Sequence, residues 1–69
     1  MVSGSVVQLI EQHFAAVGTV MFIRPVLFNF GALAPGARQY RVDVQATLGG
    51  RSYTVEVEQT GEVRTILVG

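Results

Sequence analysis

His13 is the only histidine in the chain, and there is no cysteine. A nucleophile with an adjacent base would have to use His13, since histidine is the side chain that changes charge near neutral pH. On a helical wheel it falls between Leu9 and Val17, inside an apolar half. Two readings are open: a buried general base or ligand contact, and a neutral core histidine hydrogen-bonded near a helix C-terminus. The second is expected, because no catalytic group can be placed beside it. Protonation of such a histidine would oppose folding. His13 stays a candidate ligand contact, and the chain is expected not to be an enzyme.

The carboxylates are the other chemical candidates. In the strand registers that the hydrophobic alternation favours, Asp43 faces Glu56, and Glu56 faces Arg64. Such a row could bind a cation weakly or serve as a polar recognition row, or could be a solvated line of ion pairs of little energetic weight. The latter is expected, because two carboxylates without further oxygen ligands make a poor calcium site. Tyr40 and Tyr53 are assigned to the core edge. The sequence has no glycine-rich phosphate loop, no Walker-type lysine and no nucleophile elbow. No metal and no cofactor are therefore expected. The basic residues are Arg24, Arg38, Arg41, Arg51 and Arg64, scattered and balanced to a net charge of zero. A nucleic-acid binder gathers its cations on one face, so nucleic acid is not an expected partner.

The elements that position these residues are legible from periodicity. Ser5 and Gln8 stand at capping-box spacing. After them Val6, Val7, Leu9, Ile10, Phe14, Ala16 and Val17 share half a wheel, which predicts a helix over 6–17 closed by a left-handed Gly18. The stretch "QYRVDVQATL" alternates, with Tyr40, Val42, Val44, Ala46 and Leu48 on one side. "RSYTVEVEQ" alternates after it, with Tyr53, Val55 and Val57 on one side. A turn at Gly49-Gly50 between them would set Leu48 against Arg51, Val44 against Val55 and Val42 against Val57, joining both apolar stripes on one face. A three-residue loop ending in a left-handed Gly61 would then pair Glu58 with Glu62 and add Val63, Thr65 and Leu67 to that face.

The fold class predicted is α+β: one N-terminal amphipathic helix on one face of a four-stranded antiparallel meander. Strands are expected near 20–30, 39–48, 51–59 and 62–68. The first, containing "MFIRPVLFNF", is unusual. Read with period two, Val20, Phe22, Val26, Phe28 and Phe30 take one face, and Met21, Ile23 and Leu27 take the other. Pro25 has no N–H to donate, so the strand must be an edge, or be bulged or bent there. A single helix covers one face only. Met21, Ile23, Pro25, Leu27 and Asn29 are therefore the candidate interface with a second copy of the chain or with another protein. The alternative is a strand bent at Pro25 that buries both halves in its own core.

Size supports an association. A single domain of 69 residues has a marginal core of its own, and support from disulfides is excluded. The chain is 49% hydrophobic and 14% charged, against a usual ~25% charged, so its surface is short of groups that keep neighbours apart. Residues 14–34 carry one formal charge and are long enough to span a bilayer. A mid-span arginine costs ~2.5–3.5 kcal/mol, and Arg24 and Pro25 lie at the midpoint, so a membrane anchor is a lesser alternative. The start "MVSGS" lacks a basic region, which favours a cytoplasmic over an exported protein.

One resemblance rests on "YRVDVQATLGGRSYTVEVEQTGEV", residues 40–63. It resembles a PepSY-like hairpin: a Tyr-x-Val-x-Val strand, a glycine turn, a second strand and a "TGEV"-like close, after an N-terminal helix. The same stretch looks like the C-terminal hairpins of some pilin-like proteins. The resemblance covers about a third of the chain and implies a small non-catalytic binding or regulatory module, often exported. The chain departs from it in that no export signal is visible and in its long apolar first strand, and no functional residue is carried over. The expected function is a self-associating interaction module, most simply a homodimer. The alternatives are a small apolar-ligand binder or minor enzyme with His13 in a helix–sheet cavity, and a membrane-anchored fragment.

Overall fold

Ser5 starts the fold. Its hydroxyl accepts from the Gln8 N–H at 3.2 Å, and the Gln8 side chain accepts from the Ser5 N–H at 3.3 Å. This capping box satisfies two N–H groups that a helix start otherwise leaves orphaned. The computed structural model describes residues 5–26 and 35–69. Helix α1 runs Val6–His13, and four strands come after it: β1 Thr19–Pro25, β2 Arg38–Ala46, β3 Gly49–Val57 and β4 Val63–Val68. The strands form one antiparallel sheet in the order β1-β2-β3-β4. The α+β meander is as predicted.

The core lies between α1 and one sheet face. Ile10 and Phe14 meet Val42, Val44, Val55 and Val57, all buried, with Val6, Leu9, Val20, Ile23, Tyr40, Tyr53 and Val63 packed around them. Phe14 packs on the Tyr53 ring at a centroid distance of 4.8 Å. The two tyrosines thus sit at the core edge, as expected.

The regular helix ends at His13, short of the expected residue 17, and residues 14–17 continue as turns. Gly18 is not in the left-handed region. Its role is proximity: a Cβ there would lie 2.1 Å from the Gln45 carbonyl oxygen. The glycine lets the chain leaving α1 press against β2.

The β2–β3 turn also differs from expectation. Thr47 and Leu48 form the loop, Ala46 pairs with Gly49, and Gly49 takes φ 119°. Val44 therefore meets Arg51, Val42 meets Tyr53 and Tyr40 meets Val55. The displacement is even, so the apolar stripes still share a face. A Gly49-Gly50 loop would have drawn Gln59 and Thr60 into the ladder, where they are needed for the next turn. That turn forms as predicted: Glu58 N–H donates to the Glu62 carbonyl at 2.8 Å, and Gly61 is left-handed at φ 98°.

Both edge strands carry a bulge. In β1, Val20 pairs with Val44 and Phe22 with Asp43, leaving Met21 as the extra residue. In β4, Thr65 pairs with Val55 and Leu67 with Thr54, leaving Ile66 extra. Each bulge inverts the facing of the residues after it. Ile23 therefore turns inward beside Val20, and Leu67 turns away from the apolar face it was expected to join.

Candidate functional site

The expected interface on the first strand is divided by these features. Met21 is 64% exposed at the bulge, and Phe22 is 53% exposed. Ile23 was expected to point outward with Met21, but it is half-buried against the protein's own core because the bulge shifts the alternation. Leu27 and Asn29 lie outside the described residues, and β1 stops at Pro25, short of the expected residue 30, with Val26 outside the strand.

Pro25 ends β1 on the sheet edge. Val26 N–H donates to the Gln39 carbonyl at 3.0 Å, so Arg24–Arg41 and Phe22–Asp43 are hydrogen-bonded pairs and Pro25–Tyr40 is not. The missing N–H of Pro25 thus faces the open edge. The internal ladder loses nothing, and an incoming strand finds no donor there.

Beside this edge stands an apolar residue that wheel reasoning placed in the buried half. Val7 is exposed. It lines a shallow groove with Glu11 of α1 and with Val20, Met21, Phe22 and Ile23 of β1. Val7, Met21 and Phe22 thus border one groove between helix and strand, with Glu11 among them. A helix eight residues long, resting on a sheet through Ile10, leaves the flank around Val7 uncovered. Arg24 stands over the Phe22 ring at 5.0 Å from its centroid. It is also directly opposite Arg41, and the cation–π contact helps it tolerate that like-charge neighbour.

His13 does not enter a helix–sheet cavity. It is exposed, with Nε2 2.9 Å from Thr65 Oγ1 and its ring edge-on to Phe14. The expected neutral core histidine is therefore not formed. The helix stops at His13, and its side chain reaches sideways to β4 instead of down into the core.

The polar row rearranges with the register. Asp43 meets Ser52, whose hydroxyl donates to Oδ1 at 2.7 Å, and does not face Glu56. Glu56 faces Arg64 as expected. Arg64 pairs with Glu56 at 3.1 Å and with Glu58 at 2.8 Å. The Glu56 side chain is only 8% exposed, and Gln39 and Thr54 are buried near it. This part of the second sheet face is a buried polar cluster rather than a solvated row. A carboxylate so enclosed needs a cation, and Arg64 supplies it.

Among the described residues no group of three or more His, Cys, Asp or Glu stands where it could hold a metal ion. Among them, too, no helix is long and apolar enough to cross a membrane. The chain matches no protein-family model, no curated protein and no solved structure.

Proposed function

We propose that the chain is a small non-catalytic interaction module that self-associates as a two-fold dimer through the outer side of β1 and the helix flank beside it. The observation that carries this reading is the exposure of two large apolar side chains, Met21 and Phe22, on an edge strand, with exposed Val7 and Glu11 of the helix in the groove beside them. Complete burial of side chains such as Met21 and Phe22 would contribute ~1.5–3 kcal/mol each per chain, before the costs of association. A two-fold axis uses the patch twice, so one patch is enough. Face packing fits better than strand addition, since the Met21 bulge and Pro25 interrupt the outer ladder. Leu27 and Asn29 belong to the proposed interface by sequence proximity. The resemblance to PepSY-like hairpins supports a non-catalytic role of this kind.

The test is the mass in solution by light scattering, for the wild type and for Met21→Glu and Phe22→Glu. Both side chains are largely exposed, so the folded monomer should tolerate either change, whereas Ile23→Glu would damage the core. A dimeric wild type and monomeric variants with unchanged circular dichroism are expected. A wild type that is monomeric at high micromolar concentration overturns the proposal. Variants that keep the dimer mass would place the contact elsewhere.

A further inference from the structure

At the end of α1 opposite His13, the first helical turn stands over the start of β2 and the end of β3. Between them lies a groove of about 200 Å³ walled by Val6, Leu9, Tyr40 and Val57. Two charged residues border it, Arg38 and Glu58. They are not equivalent. Glu58 is engaged by Arg64 at 2.8 Å. Arg38 alternates with Gln39, so it shares the helix-facing side with Tyr40 and Val42. Among the described residues Arg38 has neither an ion pair nor a side-chain hydrogen bond.

An apolar slot with one unpaired guanidinium at its mouth suits an anionic amphiphile. The guanidinium offers the planar donor fork that a carboxylate accepts. Volume limits the tail: at ~30 Å³ per water-sized group, 200 Å³ takes about seven carbons. From this the geometry points to a binding site for a short apolar carboxylic acid, its tail against Val6, Leu9, Tyr40 and Val57 and its carboxylate on Arg38. His13 takes no part. The site is separate from the Val7–Met21–Phe22 surface, so it stands or falls independently of dimerisation.

Octanoate and octanol are the probes, titrated into the intact protein and monitored through backbone amide shifts. Octanoate should move the amides of Val6, Leu9, Tyr40 and Val57 and bind more tightly than octanol. Arg38→Gln should weaken octanoate about tenfold, the loss expected for one charge-assisted hydrogen bond, and leave octanol unchanged. Arg38→Lys, which keeps the charge but loses the donor fork, should retain only part of the preference. The proposal is overturned if octanoate moves none of these amides at millimolar concentration. Equal wild-type affinity for octanol and octanoate overturns it too, as does an Arg38→Gln variant that binds octanoate like the wild type. If Arg38→Gln fails to fold, the wild-type comparison of the two probes decides the matter alone.

Discussion

Gly18→Ala should be among the most damaging small changes in this chain. Gly18 is the link between α1 and β1, and the position of an added methyl is known. Its carbon would lie 2.1 Å from the Gln45 carbonyl oxygen, 2.9 Å from the carbonyl carbon and 3.1 Å from the Ala46 Cα. All three are backbone atoms of β2, which is held on its other side by β3. No side chain can swing aside, so the helix–strand connection must lift. Overpacking of this kind costs ~1–3 kcal/mol, and the upper part of that range fits a clash with backbone. Alanine's smaller unfolded-state entropy recovers at most ~1 kcal/mol. A domain of this size has roughly 3–10 kcal/mol of stability in all, so a net loss of about 2 kcal/mol is large. It corresponds to a drop in melting temperature of about 8–16 °C. Urea and thermal unfolding monitored by circular dichroism measure it. Gly18→Asn separates this account from a helix-capping one. A left-handed cap accepts asparagine, whereas a close approach to Gln45 rejects it as firmly as alanine. An unchanged midpoint for Gly18→Ala, or an asparagine variant that melts like the wild type, refutes the reasoning.

Ser5→Ala should remove the capping box and cost ~1 kcal/mol, read as a lower urea midpoint. Arg64→Met strands the enclosed Glu56 carboxylate without its cation, at a cost of about 1–3 kcal/mol; pairing it with Glu56→Gln should recover part of the loss in a double-mutant cycle. The two hairpin glycines should respond differently. Gly49 has φ 119° and open space around it, so Gly49→Ala is penalised by backbone conformation alone, by ~1–2 kcal/mol. Gly50 has no such φ, and the nearest side-chain atom is the movable Gln45 Oε1 at 3.4 Å, so Gly50→Ala should be within ~0.5 kcal/mol of wild type. Equal penalties at the two positions would show that the turn is not at Thr47–Leu48.

Local signals in the sequence determined a good part of this protein. Ser5 and Gln8 announced the helix start because a capping box is satisfied within four consecutive residues. Alternation of Tyr40, Val42 and Val44, and of Tyr53, Val55 and Val57, determined which side chains face the helix. The Gln59–Gly61 turn, with Glu56 opposite Arg64, was legible from Gly61 being where a left-handed residue is needed. The tertiary structure decided where these patterns stop. Register is a competition between ladders, and the end of β3 was already committed to the turn before β4, so the loop moved from Gly49-Gly50 to Thr47-Leu48. Bulges leave no mark in a run of apolar residues. Strict period two therefore assigned Ile23 and Leu67 to the wrong faces. The helix stopped at His13 because the chain had to turn back onto β2, where Gly18 meets Gln45. That early stop set His13 in solvent. An eight-residue helix on a four-stranded sheet then left Val7, Met21 and Phe22 together and uncovered. No periodicity could reveal that grouping, because it depends on how far α1 reaches across β1.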